Sequence, residues 1–248
     1  MRAQHHAEEA MGTVFSITVM GGPDLATAAA CAFLHQADQD FSPWIQDSWI
    51  SRIRRGEVDL AAAPAPIREV HGLCLEALRV TDGWFDPWRL PGGFDPTGLV
   101  KGWAAERAAE MLRDSGAAAA MVNGAGDIAC FGRPDPERDW RVGLEDPFDP
   151  SRIAMVVEGW PAVATSGTYQ RGLHLIRPAS GRPAVSVRAA TVVGPRLWLA
   201  DALATAAAVA GVGAGMEMVE AVDGYELLVV GEDGRRSWTS GFTAEAAA

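Results

Sequence analysis

The chain has 248 residues, of which 48% are hydrophobic and 21% are charged, and its formal net charge is −11. This composition is typical of a globular protein and argues against an intrinsically disordered one. The acidic balance and the lack of a basic patch or stripe exclude nucleic acid as an expected partner. An acidic protein that handles an anionic ligand usually needs a metal ion or oriented backbone amides to hold it.

The N-terminus and the cysteines indicate where the protein works. Residues 1–10 are polar and contain no apolar signal-peptide core, and no apolar run is long enough to cross a bilayer. We therefore predict a cytoplasmic protein with no membrane span. The cysteines are odd in number and have no metal-ligand spacing, which predicts buried free thiols. They are Cys31, Cys74 and Cys130.

In the first half of the chain, hydrophobic periodicity predicts one strand followed by helices. Residues 14–19 alternate and are rich in β-formers, which predicts a strand. Apolar residues at helical spacing then predict helices over 24–39 and 67–78. A third helix is predicted over 97–114, because it opens with residues suited to a helix start and ends before a glycine.

Beyond residue 116 the pattern changes to short strands separated by clusters of Gly, Pro, Asp and Asn. Helical spacing returns over 196–209 and 216–222. The predicted strands are 118–122, 128–131, 140–144, 153–157, 162–164, 173–176, 190–193 and 226–230.

Helices and strands therefore come in blocks rather than in strict alternation. This order favours an α+β fold, with mixed or antiparallel sheets packed with helices, over a doubly wound sheet. We predict a flexible N-terminus over 1–10, a single domain over 11–240 and a C-terminal tail over 241–248.

Residues 95–103 combine an acidic side chain, a hydroxyl, two glycines and a lysine at the start of a predicted helix. Gly98 and Gly102 allow backbone to approach a bulky group, and the free amides of a helix N-terminus favour anions. The alternative is a capped helix with glycines used for close packing.

Asp201 and Thr205 are four residues apart in a predicted helix, so their oxygens lie on one face. A carboxylate and a hydroxyl are hard-oxygen ligands, suited to Mg²⁺ or Ca²⁺ rather than zinc. Their neighbours are almost all Ala, Leu and Val, and a lone carboxylate there is costly unless it is paired. A capping role or a salt bridge would be the structural alternative.

Three further segments have both a functional and a structural interpretation. The hydroxyls of 165–169 could meet a phosphate, or they could form a turn after a strand. The glycine loop 123–127 enters no predicted helix, so it is a poor dinucleotide-binding motif. His174 lies in a predicted strand and is either a core residue or an acid/base group.

Eight motifs in order, from about residue 11 to residue 231, resemble those of the ApbE family, the FAD:protein FMN transferases. They are Met11-Gly12-Thr13, 41–44 with 47–48, 82–86, 95–103, 123–127, 164–167, His174 with Pro178 and Gly181, and 200–205. The resemblance implies an ApbE-like (T-fold-like) architecture. It also implies a transferase that binds FAD with Mg²⁺ and cleaves its pyrophosphate. The FMN part would be joined through a phosphoester to a Thr or Ser in the flavinylation motif of an acceptor protein, with release of AMP.

The resemblance also implies roles for individual residues. Asp201, Thr205 and the backbone carbonyl of Gly98 would bind Mg²⁺, and His174 would act in acid/base chemistry. The FAD site would be lined by Met11, Trp44, Trp84, Phe85, Asp86, Asp95, Lys101, Thr165 and Leu175.

The chain departs from the family pattern at three positions. Arg177 stands where many relatives have an aspartate, and Ala204 stands where an acidic residue often precedes the metal threonine. Trp44 replaces a common tyrosine. The first two departures leave open an FAD-binding protein with little turnover. A further alternative is an FAD pyrophosphatase, which forms FMN and AMP with water in place of the acceptor hydroxyl.

Overall fold

The helices occupy two blocks of the chain in the computed structural model, which describes residues 3–90, 92–168, 176–177 and 181–247. They are α1 (Asp24–Phe41), α2 (Trp49–Arg54), α3 (Ala65–Val80), α4 (Thr97–Asp114), α5 (Leu197–Ala210) and α6 (Val212–Glu220), with a 3-10 helix at Leu60–Ala62. No described helix is both long enough and apolar enough to cross a membrane.

The strands form two antiparallel sheets. They are β1 (Ala3–Ala10), β2 (Thr13–Met20), β3 (Ala119–Gly124), β4 (Asp127–Phe131), β5 (Arg141–Asp146), β6 (Asp149–Glu158), β7 (Ala162–Gly167), β8 (Val187–Gly194), β9 (Glu226–Gly231), β10 (Arg236–Trp238) and β11 (Glu245–Ala246). The large sheet has the order β1-β2-β3-β4-β7-β8-β9-β10, and the small sheet has the order β11-β6-β5. These elements confirm the predicted α+β class.

The large sheet lies between the helices and the small sheet, because its central strands are apolar on both faces. In β7, Ala162 and Ala164 belong to the main core with the helices, whereas Val163 belongs to the second core with β5 and β6. Helix α5 is buried along nearly its whole length. A helix that is apolar all round must be covered on all sides, and α5 lies in the centre of the main core.

The segment predicted as a flexible N-terminus contains a strand. Ala3–Ala10 pair with β2 through a two-residue turn in which Met11 and Gly12 both have positive φ, 54° and 69°. Two positive φ values suit the tight turns that connect hairpin strands. At the other end, Phe242 is buried and Glu245–Ala246 pair with β6, so most of the predicted tail also packs onto the domain.

Two other predicted segments differ in detail. Thr165 and Ser166 lie inside β7 rather than in a turn after it. Of the strand predicted over 173–176, only Ile176 is among the described residues, where it forms an isolated bridge with Pro183.

Candidate functional site

A cavity of about 810 Å³ opens beside the N-terminal turn of α4 and the middle of α5. Its walls come from the β1–β2 turn, the C-terminal end of α1, the loop before α4, β7 and the two helices. Eleven of the thirteen predicted site residues line it: Met11, Trp44, Trp84, Phe85, Asp86, Asp95, Gly98, Lys101, Thr165, Asp201 and Thr205. The other two, His174 and Leu175, lie outside the described residues.

Helices α4 and α5 approach closely beside this cavity because α4 presents glycines to α5. A Cβ atom at Gly102 would lie 2.9 Å from the Asp201 Cβ, and one at Gly98 would lie 3.7 Å from the Thr205 Cγ2. Gly98 and Gly102 are one turn apart, as are Asp201 and Thr205, so two pairs of facing residues are in register. The alternative of close-packing glycines is therefore correct for Gly102, whereas Gly98 lines the cavity.

Asp201 is only 4% exposed, and its Oδ2 accepts a hydrogen bond of 3.0 Å from the Gly102 amide. In a regular helix the Gly102 amide would donate to the Gly98 carbonyl. The Asp201 carboxylate thus competes with the Gly98 carbonyl for the Gly102 amide hydrogen. Asp201, Thr205 and Gly98 all line the same cavity beside the two helices.

Strand β7 adds a hydroxyl that the sequence analysis did not select. Ser166 Oγ lies 3.0 Å from Thr205 Oγ1. Alternation along the strand sends the neighbouring hydroxyl elsewhere, since Thr165 Oγ1 lies 2.9 Å from Thr191 Oγ1 on the adjacent strand. Ser166 rather than Thr165 is therefore the β7 hydroxyl that meets α5. Assigning residues 165–166 to a strand would have predicted this difference, because successive side chains of a strand point to opposite faces.

Lys101 forms an ion pair with Asp127 and donates a 3.1 Å hydrogen bond to the Gly124 carbonyl. The side chains are 17% and 2% exposed, so this is a largely buried pair. Asp127 Oδ1 also accepts a hydrogen bond from the Thr165 amide at 3.3 Å. Lys101 therefore ties the 123–127 loop to α4, while its stem lines the cavity. Asp127 lies in a motif that carried the family resemblance, but no sequence feature indicated its ion pair.

Two predicted carboxylates shape the loop in front of α4. Asp86 Oδ1 accepts a hydrogen bond from the Trp88 amide at 3.0 Å, and Asp95 Oδ1 accepts one from the Thr97 amide at 3.0 Å. Asp95 Oδ2 lies 3.7 Å from Arg54 Nη1. Such side-chain bonds to a backbone amide two residues on fix turns. Both residues thus have a structural role as well as a place on the cavity wall.

Aromatic side chains form the rest of the wall. Phe85 is buried, whereas Trp44 is 84% exposed. A large exposed aromatic at the edge of a cavity offers an apolar face to a ligand ring.

The hard oxygens and the aromatic side chains that line the cavity suit different parts of one ligand. Carboxylate, hydroxyl and carbonyl oxygens are the donors that Mg²⁺ and Ca²⁺ prefer. The residues present therefore fit a divalent cation of this class, and the aromatics fit a planar ring system.

Comparison with known proteins identifies the family of the chain. The model of the ApbE family matches residues 11–91 and 90–229. An FAD:protein FMN transferase from Vibrio cholerae is 32% identical over 158 residues, which are 59% of this chain and 47% of that protein. One from Rhodobacter capsulatus is 34% identical over 121 residues, 45% of this chain and 23% of that protein. The chain thus matches less than half the length of these curated relatives.

Solved structures resemble the whole fold. The ApbE protein from Thermotoga maritima has a TM-score of 0.86 at 22% identity, covering 96% of this chain and 97% of that one. The flavin transferase ApbE from Vibrio cholerae has a TM-score of 0.82 at 21% identity, covering 97% and 98%. These similarities confirm the predicted ApbE-like architecture. Because the family model extends from residue 11 to residue 229, the chain belongs to the ApbE family.

Proposed function

We propose that the protein is an Mg²⁺-dependent FAD:protein FMN transferase. The observation that carries the proposal is the convergence of eleven predicted site residues on one cavity of about 810 Å³. A volume of this size lies within the range of small-molecule and cofactor sites. Family membership and the names of the relatives, FAD:protein FMN transferases, support the same activity.

The metal would be held by Asp201, Thr205 and the Gly98 carbonyl, with Ser166 beside Thr205. Bound there, Mg²⁺ would neutralise charge on the pyrophosphate oxygens. The close contact of α4 and α5 supports this assignment, since it brings these donors together from two rigid helices. Ser166 orients the Thr205 hydroxyl through their 3.0 Å hydrogen bond.

In the proposed reaction, the hydroxyl oxygen of an acceptor Thr or Ser bonds to the phosphorus of the FMN part of FAD. The bond from that phosphorus to the oxygen bridging to AMP breaks, and AMP leaves. The hydroxyl must lose its proton, and a base within hydrogen-bond reach assists this. We assign that role to His174 from the family resemblance. Leu175 and Thr165 complete the proposed FAD contacts.

The aromatic residues are proposed to hold the rings of FAD. Trp44 and Trp84 can flank a flavin or an adenine, because aromatic faces stack on planar rings. The ion pair of Lys101 with Asp127 keeps the adjoining loop in place. Partners of the protein in this proposal are FAD and an acceptor protein with a Thr/Ser flavinylation motif, and its cytoplasmic location stays a prediction.

One assay tests the proposal. Purified protein is incubated with FAD, Mg²⁺ and an acceptor carrying a Thr/Ser flavinylation motif, and flavin fluorescence on the acceptor and released AMP are measured. Equal amounts of labelled acceptor and AMP support transfer. Formation of FMN and AMP at the same rate without acceptor would show a pyrophosphatase instead. FAD that is bound but unchanged would show a binding protein.

The metal assignment has its own control. Asp201→Asn removes a metal ligand while it keeps the side-chain shape, and we expect labelling to fall at least a hundredfold. Asp114→Asn is the matched change at the exposed end of α4, where the side chain is 74% exposed, and we expect no effect. Undiminished transfer by Asp201→Asn would show that the metal lies elsewhere.

A further inference from the structure

A second group of metal-ligating side chains lies where β1 crosses α1. His6 and Glu8 are two residues apart on β1, and Cys31 and His35 are four residues apart on α1, so each pair shares one face. Glu8 Oε2 lies 2.7 Å from His6 Nε2, and Glu8 Oε1 lies 2.6 Å from His35 Nε2. One ligand atom each from His6, Glu8 and Cys31 lies within 4.8 Å of the others.

We propose that His6, Glu8, Cys31 and His35 form a zinc site. Two imidazoles, a thiolate and a carboxylate are zinc ligands, and four of them complete a tetrahedral structural site. Zinc bonds of about 2.0–2.3 Å place ligand atoms roughly 3.3–3.8 Å apart. The ligand atoms of His6, Glu8 and Cys31 lie within 4.8 Å of one another and need shifts of about an ångström to reach that spacing. The half-exposed His35 imidazole, whose Nε2 lies 2.6 Å from Glu8 Oε1, must turn toward them to become the fourth ligand.

The charge and softness of the group fit zinc rather than magnesium. Zn²⁺ with one carboxylate, one thiolate and two neutral imidazoles has no net charge, so the complex can form against a buried surface. A thiolate is a soft ligand, which Mg²⁺ avoids. The oxygens around Asp201 have the opposite preference. The two sites should therefore select different ions.

The side chains of this group range from buried to half-exposed, so an ion can reach them from solvent. The Cys31 residue is 7% exposed and belongs to the main core, whereas the side chains of His6 and His35 are 45% and 52% exposed. The thiol is therefore the innermost ligand of the group, and the two imidazoles lie on the solvent side, from which an ion can enter.

The site would fasten the first strand of the sheet to the helix behind it. β1 is the edge strand, paired with β2 on one side only. Its even-numbered face lies on α1, as shown by the 2.8 Å hydrogen bond from Gln4 Nε2 to Asp24 Oδ1. β1 leads into Met11, and α1 continues to Asp38; both line the cavity. A metal here would thus hold one wall of that cavity, and its existence does not depend on the flavin activity.

Metal binding to the full-length protein tests the proposal. Chelator-treated protein is titrated with Zn²⁺ by calorimetry in millimolar Mg²⁺, and with Co²⁺ by absorbance. We expect one zinc per chain, a cobalt–thiolate charge-transfer band and a rise in Tm of roughly 5–10 °C at a hundredfold excess over Kd. No saturable zinc binding, or a cobalt spectrum without the thiolate band, would overturn the proposal.

Matched histidine variants locate the ion. His35→Gln removes a half-exposed ligand and should weaken zinc binding at least tenfold without unfolding the protein. His5→Gln is the control, because His5 lies on the other face of β1, where its Nδ1 is 3.1 Å from Thr18 Oγ1, and it should bind zinc as the parent does. Equal affinity of His35→Gln and the parent would overturn the proposal, as would equal weakening by both variants.

Cys31→Ser supplies an independent readout, because loss of the cobalt–thiolate band requires only that the protein remain folded. Retention of that band would contradict the proposal. Asp201→Asn should leave zinc binding unchanged, so that failure of the flavin proposal and failure of the zinc proposal give different results.

Discussion

Replacing Gly102 by alanine tests whether the close approach of α4 and α5 is required. The new Cβ would lie 2.9 Å from the Asp201 Cβ and 2.9 Å from the Leu197 carbonyl oxygen, whereas ordinary contacts begin at 3.4 Å. Neither neighbour is the tip of a flexible side chain, so neither can rotate away. The two helices must therefore separate locally by about half an ångström.

The net effect on stability is the difference between two terms. Alanine is favoured over glycine in a helix interior by about 1 kcal/mol. Overpacking a close contact costs about 1–3 kcal/mol. We therefore expect Gly102→Ala to lower the free energy of unfolding by up to about 2 kcal/mol. We also expect weaker Mg²⁺ binding, because the hydrogen bond from the Gly102 amide to Asp201 must lengthen.

Gly72→Ala is the matched control. Gly72 lies within α3, and a Cβ there would have nothing within 4 Å. Only the higher helix propensity of alanine applies here, so Gly72→Ala should raise the free energy of unfolding by about 0.5–1 kcal/mol. Urea unfolding followed by circular dichroism measures both variants, and FAD titration at several Mg²⁺ concentrations measures the site. If Gly102→Ala is stabilised as much as Gly72→Ala and binds Mg²⁺ equally well, the packing interpretation is refuted.

Three further predictions concern other parts of the structure. Lys101→Met removes the ion-pair partner of the buried Asp127 carboxylate. Urea unfolding should therefore show a free energy of unfolding lower by about 3–5 kcal/mol, and a decrease below about 1 kcal/mol would contradict a buried pair. Trp44→Ala removes an 84% exposed side chain, so the free energy of unfolding should change by less than about 0.5 kcal/mol. The Kd for FAD, measured by fluorescence, should rise several-fold. An unchanged Kd would show that Trp44 does not contact FAD. Burial raises the pKa of Cys130 to about 12 and that of Cys74 well above its usual range. Both thiols should therefore react with a disulfide reagent at pH 8 far more slowly in the native protein than in urea. Rapid labelling of the native protein would contradict their burial.

The sequence predicted the elements that have strong apolar periodicity and missed those that lack it. Helices over 97–114 and 196–209 were predicted almost to the residue, because their buried faces recur at helical spacing. β1 was missed because Ala10 is its only buried residue and the face that lies on α1 otherwise carries polar side chains, so no apolar alternation is present. α2 was missed because six residues are too few to show a period.

Within the site, local spacing was informative and tertiary pairing was not. Asp201 and Thr205 share a helix face at a fixed spacing, so their meeting at one cavity followed from the sequence. Asp127 could not be recognised, because its partner Lys101 lies on another element. The proposed zinc ligands were hidden for the same reason: Cys31 and His35 share a face of α1, but their partners on β1 meet them only when that strand packs on the helix.

The proposed metal donors and flavin contacts differ in the kind of structure that carries them. The metal donors come from α4, α5 and β7, which are packed in the main core and leave little freedom to the backbone. The aromatic contacts come from the loop after α1 and from the loop before α4, where Trp44 and Trp84 lie. Sites on helices and strands are held more precisely than sites on loops. Changes in the aromatic loops should therefore alter the affinity for FAD and leave the affinity for Mg²⁺ unchanged. Changes at the contact between α4 and α5 should alter both affinities, because the ion and the pyrophosphate would bind side by side there.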